Sequence, residues 1–209
     1  KTVYNILIAI CLVVFLVSGG VLGYQFYTYY QAGQIRDELK GQIDVSVPES
    51  EREKLPLNIK DKFLKLYSMN PEFIGWVQID GTDIDYPVMQ TTDNDKYLKT
   101  DFYGKYHRLG TVFADYRAKI SEDGNSDNIV VYGHSANNGE FFSPVRKYKS
   151  LDYYKEHPII HFDTLYEEAD YVILAAFMVD ASDTTETAFA YHDVHDFNTQ
   201  ETYDAFFEE

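Results

Sequence analysis

The sequence predicts a mainly β domain, a mainly antiparallel barrel or sandwich, carried behind an N-terminal membrane helix. Three observations predict it. Short apolar runs separated by turn residues recur from about Phe73 to Val179, the pattern of many short strands with few helices. Asp80-Gly81-Thr82 stands between two of these runs, a hairpin signal. Val3 to Tyr24 carries no charge and is dominated by Ile, Leu, Val and Phe.

That uncharged run, roughly 22 residues at about 1.5 Å each, reaches about 33 Å, enough to cross a bilayer core. A cleaved signal peptide would have a shorter apolar region, about 7–15 residues, ending in a small-x-small site. Val17-Ser18-Gly19-Gly20 is followed at once by bulky Val21, Leu22 and Tyr24, so residues 1–24 read as an uncleaved anchor. Lys1 points to a cytoplasmic N-terminus and an exported body. The sequence opens without Met, so upstream residues are expected. Gly19 and Gly23 make a small-xxx-small pair, read as ordinary membrane-helix glycines.

Residues 25–56 read as stalk and linker, helix-compatible to about Lys40 and then interrupted by Pro48 and Pro56. The domain proper is expected over 57–209. Leu57 to Ser68 shows helical spacing of apolar residues, stopped by Asn70-Pro71. Strands are predicted at Phe73–Ile79, Ile84–Val88, Thr111–Tyr116, Asn128–Tyr132, Ile159–Asp163 and Tyr171–Val179, with short connectors at Glu140–Tyr148 and Leu151–Glu156. Asn198 or Thr199 caps a last helix whose apolar positions Tyr203, Phe206 and Phe207 begin just before Glu209. A face begun so late predicts a sequence cut short.

Composition narrows the function. The formal charge is −16, which argues against nucleic acid, since phosphate binding needs clustered Lys and Arg. After Lys155 there is no Lys or Arg, while Asp and Glu recur to Glu209. A solvated acidic face is the expectation, because no Asp-x-Asp-x-Asp-Gly calcium loop is present. The single cysteine, Cys11, lies in the apolar run, so no disulfide closes within the chain.

Among the six histidines, His134 stands out. The run Asn128-Ile-Val-Val-Tyr-Gly-His134 reads as a buried strand delivering one imidazole to its rim, where histidine can move protons near neutral pH. The structural alternative is a hydrogen-bonded rim histidine. His157 and His161 are separated by Pro158 and do not share a helical face as zinc ligands would. His192 and His195, beside Asp193 and Asp196, read as a polar loop rather than a metal site. His107 sits in a Lys/Arg-bearing loop. Ser135 adjoins His134, but neighbours on a strand point to opposite faces and no Gly-x-Ser-x-Gly elbow exists. No cofactor motif and no metal site is expected.

Gly110-Thr-Val-Phe-Ala-Asp-Tyr-Arg117 followed by Asn128-Ile-Val-Val-Tyr-Gly-His134 resembles the class B sortases of Gram-positive bacteria. Asp85-Tyr86-Pro87-Val88, Asp93-Asn94 with Tyr97-Leu98, and Phe141-Phe142 support the resemblance, which runs from about Asn70 to about Phe207. It implies a sortase β-barrel, eight strands when complete, with N-terminal helices beside it. It also implies a membrane-anchored cysteine transpeptidase facing outward, which cleaves a C-terminal sorting motif after Thr and passes the acyl group to a cross-bridge or lipid II amine. By that resemblance His134 is the catalytic histidine, and Asn94 and Leu98 line the substrate site. The family's Thr-Leu-x-Thr-Cys motif and downstream Arg have no counterpart in these 209 residues, and Cys11 lies in the membrane run, so this chain alone is expected to be inactive. The alternatives are a degenerate homologue, a non-catalytic peptide-binding barrel, a pilin-polymerising sortase, and a surface protein with acidic calcium-binding loops.

Overall fold

The computed structural model describes residues 2–136, 139–178 and 193–208. Helix α1 (Thr2–Lys40) runs unbroken through the uncharged run and the polar stretch that follows it. Its 18-residue apolar window has a mean hydropathy of 2.8 and none of it is buried, so by length and composition it can cross a membrane. Toward its C-terminal end the helix turns from apolar all round to docked, with Thr28, Ala32 and Leu39 buried against the domain.

A six-stranded sheet follows, curled into a half-barrel in the order β4-β3-β2-β1-β5-β6. The predicted hairpin is its centre. Strand β1 (Phe73–Gln78) pairs antiparallel with β2 (Asp85–Met89), and between them Ile79 N–H donates to Ile84 O across the turn. Gly81 takes φ +71° there, a backbone state that a side chain resists. Strand β5 (Ile159–Thr164) adds to the other edge of β1, and β6 (Glu168–Val172) pairs with β5.

Alternation along the central strands sorts the core onto two faces. Ile74, Val77, Tyr86, Val88, Ala114 and Phe162 line one face. Phe73, Trp76, Met89 and Phe113 line the other, covered by Leu39 of α1 and by Phe63, Leu64 and Leu66 from the 3₁₀ turn Asp61–Phe63 and helix α3 (Leu64–Met69). Phe73 is at the centre of the second face, edge-on to Phe63 at 5.3 Å and to Phe102 at 6.3 Å.

Several expectations need correction. "Mainly β" holds only in part, because α1 alone is longer than the six strands together. Among the described residues the sheet is mainly antiparallel, as expected, with β2 pairing parallel with β3 (Phe113–Ala114). β3 and β4 (Val131–Tyr132) are two residues each; one more bond, Asp115 N–H to Val130 O, joins them before the Asp115 side chain accepts from Arg117 N–H in a turn. β4 is half-buried rather than buried, as an edge strand paired only through β3. The helix expected from Leu57 begins later. Lys60 N–H donates to Leu165 O instead of entering a helix, and Leu57 is 83% exposed.

The last hairpin starts earlier than predicted. The hydroxyl of buried Thr164 accepts from the amides of Tyr166 and Glu167, and this tight turn starts β6 at Glu168. Val179 lies outside the described residues. The 3₁₀ segment Ser143–Lys149 and helix α4 (Leu151–Glu156) fill the two predicted connectors, while the linker holds a short helix α2 (Glu49–Arg52). Thr199 caps helix α5 (Gln200–Glu208), its hydroxyl accepting from Thr202 N–H, and Phe197 packs against Tyr203 and Phe206.

Truncating Phe73 to Ala should cost about 4 kcal/mol in chemical denaturation, the range for a buried aromatic whose neighbours cannot collapse into the space. A loss below about 1 kcal/mol would show that the covered face is not a packed core.

Candidate active site

The site is built where β3 and β4 end, and the carboxylate of Asp115 organises it. Asp115 is fully buried. Its Oδ1 accepts from the backbone N–H and Nε of Arg117, and its Oδ2 accepts from Arg117 Nη2, Asn94 Nδ2 and Tyr132 Oη, all at 2.9 Å. A buried charge is tolerable only when paired and hydrogen-bonded in this way. Arg117 foremost holds the Asp115 carboxyl well below the usual carboxylate range; burial opposes this, while the Arg117 amide, Asn94 and Tyr132 add to it. Arg117 Nη1 also reaches Asp193 at 2.8 Å. The chain around Asp193 is stitched on by Asn128, whose N–H donates to His195 O and whose side-chain amide donates to Val194 O.

Tyr132 carries this order to His134. One residue intervenes, Gly133, where a Cβ would come within 2.6 Å of the Phe142 ring. A side chain at 133 would therefore push the closing residue of the histidine loop away. Beyond His134 the loop folds back on itself. Phe142 N–H donates to His134 O at 2.9 Å, Ser135 bridges Phe141 antiparallel, and Ser143 Oγ bonds Ala136 O. The ring of Phe141 stands edge-on to the imidazole at 6.3 Å.

His134 is exposed, with no hydrogen-bond partner for its ring among the described residues. Desolvation of its packed side lowers its pKa from the ordinary value, and the charges of Lys99 and Arg108 lower it further. The imidazole is thus presented neutral at neutral pH, ready to accept a proton.

The other expected site residues divide. Asn94 is committed to the Asp115 hub through Nδ2, and its Oδ1 accepts from Tyr116 N–H. It shares Asp115 Oδ2 with Tyr132 and so joins the strand that ends at His134. Leu98 is half exposed and next to Lys99, whose charge reaches His134. Ser135 Oγ is buried and among the described residues has no hydrogen-bond partner, His134 included, so no Ser/His pair forms there.

His157 Nδ1 bonds Asp80 O, and His161 sits on β5 with Nδ1 2.6 Å from Asp170. His107, which the sequence leaves without a role, is buried with Nε2 3.3 Å from Thr28 O of α1. His192 lies outside the described residues. Among the described residues no cluster of three or more His, Cys, Asp or Glu is arranged to hold a metal ion. Cys11, the single cysteine of the 209 residues, is exposed in the apolar part of α1.

A model of the sortase domain matches residues 77–203, the stretch that holds this site. The chain belongs to the sortase family. Sortase B of Listeria monocytogenes is 30% identical over 151 residues, covering 72% of this chain and 59% of that protein. Sortase B of Staphylococcus aureus is 29% identical over 126 residues, 60% of this chain and 51% of that protein. The chain therefore spans between half and three-fifths of these curated relatives. Sortase B from Bacillus anthracis, solved in complex with AAEK1, superposes with a TM-score of 0.68 at 26% identity, covering 88% of this chain and 79% of that one. The S. aureus sortase B structure gives 0.64 at 26%, covering 77% and 72%. These relatives make the chain a class B sortase.

What the sequence reading missed is the hub. Asp115 stood in the quoted motif without a role, although an Asp closing an apolar run two residues before an Arg is a legible sign of a buried pair.

Two measurements follow. Because the folded pKa of Asp115 is depressed, its contribution is fully present above the unfolded value of about 3.9 and is lost as pH falls through and below it. Asp115→Asn should therefore cost about 3 kcal/mol at neutral pH and flatten the acid limb of stability; an unchanged acid limb would contradict the assignment. In an NMR titration His134 should lose its proton below about 6.5 and His161, raised chiefly by its bond to Asp170, above it. The reverse order would refute the two environments described.

Proposed function

We propose that this class B sortase is a membrane-anchored cysteine transpeptidase in which His134 is the proton-transfer group. The observation that carries the reading is His134 itself, an exposed imidazole two residues past Tyr132, which bonds the buried Asp115 carboxylate. Neutral His134 takes the proton of a cysteine thiol, and the thiolate attacks the carbonyl carbon of the sorting-motif Thr. The imidazolium returns the proton to the departing amine as the C–N bond breaks, leaving a thioester. A second amine, from a peptidoglycan cross-bridge or lipid II, gives its proton to His134 and displaces the thiolate, joining the secreted protein to the wall.

In this proposal the thiol and the oxyanion-stabilising arginine come from sequence outside these 209 residues, since Cys11 lies in the membrane run. Residues 1–24 anchor the protein by one pass, 25–56 form the stalk, and 57–209 are the histidine-bearing part of an extracellular domain. Leu98 lines the peptide site beside Lys99, and Asn94 serves it by holding Asp115 and Tyr116. Wall anchoring is preferred over pilin polymerisation. The sorting motif recognised is read by loops near or past residue 180, of which 179–192 lie outside the described residues.

The test is cleavage of a quenched fluorescent peptide with Thr at the scissile position, with triglycine as acceptor. The full-length protein should cleave it, His134→Ala should lower kcat by about 10³-fold, and the 209-residue chain should be inactive. Cleavage by the 209-residue chain, or an undiminished His134→Ala enzyme, would overturn the reading.

A further inference from the structure

The helix that leaves the membrane reaches the histidine loop through two side chains that the proposed chemistry does not use. Arg36 of α1 lies over the ring of Tyr86 on β2, 5.7 Å from its centroid. Tyr86 is buried and stacks flat on Phe141, with centroids 5.0 Å apart and planes 3° apart. Its hydroxyl oxygen accepts the backbone N–H of Phe141 at 2.9 Å. Phe141 is the residue that bridges Ser135, packs edge-on to His134 and precedes the amide bonded to His134 O.

Phe141 also sits at φ +54°, a left-handed conformation that costs a bulky aromatic residue energy and persists only where its surroundings impose it. Here the stack on Tyr86 and the bond to its hydroxyl impose it. Further contacts hold α1 in register with β2. Lys40 pairs with Asp85, which also accepts from Trp76 Nε1 at 2.7 Å, and Tyr103 Oη donates to Glu38 at 2.8 Å. His107 meets the carbonyl of Thr28 on the same helix. The small cavity between these parts is lined by Ala32, Arg36, Leu39, Tyr86 and Phe141, so no further layer separates helix from loop.

We propose that Tyr86 and Arg36 are positioning residues for His134, and that the docked end of the membrane helix is part of the device that shapes the active-site loop. Tyr86 holds Phe141 in its strained backbone state, the strained turn closes the loop at its base, and the closed base sets the imidazole. Arg36 seats the Tyr86 ring from the helix side. The inference rests on His134 being the proton-transfer group, and its test separates the two ideas.

Tyr86→Phe keeps the ring stack and removes the acceptor; Arg36→Gln removes the cation while keeping the helix. In the full-length protein each should lower kcat for sorting-peptide cleavage about tenfold with KM little changed, since a small misplacement of a reacting group falls on the chemical step. Arg36→Lys, which keeps a cation over the ring, should recover part of the loss. The melting temperature of Tyr86→Phe should stay within about 5 °C of wild type. In the same proteins, ¹⁵N-labelled His134 should show shifted imidazole resonances, a readout that global stability does not move. Unchanged kcat and unchanged His134 resonances in both variants, with His134→Ala inactive, would overturn the positioning role and leave the histidine's role standing. An active His134→Ala protein would instead overturn the function, and the imidazole resonances alone would then decide the positioning.

Discussion

A single buried carboxylate sets the geometry of this domain around its functional end. Asp115 ends β3, and in doing so it collects Arg117, the Asn94 side chain and the Tyr132 hydroxyl into one desolvated cluster. A charge in that position without partners would cost several kcal/mol, so every donor that meets it is constrained in turn. The constraint propagates. Arg117 extends to Asp193, Asn128 ties the backbone at 194 and 195 to the start of β4, and Tyr132 fixes the strand from which His134 emerges.

Two kinds of order meet at His134. On the strand side it is electrostatic, drawn from the Asp115 cluster. On the loop side it is steric, drawn from the Phe142 ring lying where a Cβ on Gly133 would be and from Phe141 stacked on Tyr86. The imidazole itself is left in contact with solvent, and desolvation of its packed side, with the charges of Lys99 and Arg108 added, disfavours its protonation. A rigid frame around one mobile proton is what general acid–base chemistry requires, since the transfer depends on distance more than on binding strength.

Much of this was legible in the amino acids. Asp80-Gly81 between apolar runs located the central hairpin, and the charge-free run from Val3 located the long helix. The Tyr-Gly-His segment that leaves β4 located the imidazole. What was hidden depends on long-range partners. Nothing near Leu57 signals that the chain will hydrogen-bond to Leu165 and stay out of a helix. Thr164 closing the last hairpin is one hydroxyl among many. The amide of Asn94 donates to Asp115, a bond that spacing alone does not reveal. His107 looked like a loop residue because its partner, Thr28, is on the long N-terminal helix.

The most direct test of the central place of Asp115 is amide hydrogen exchange of Asp115→Asn against the wild-type chain. Opening should be local, because the cluster holds only the segments that donate to it. Exchange is expected to quicken at 94–95, 116–118, 128–135 and 193–197, while Gly75–Gln78 and their partners on β2 and β5 stay protected. Uniform acceleration through the sheet, or no change around His134, would contradict the account.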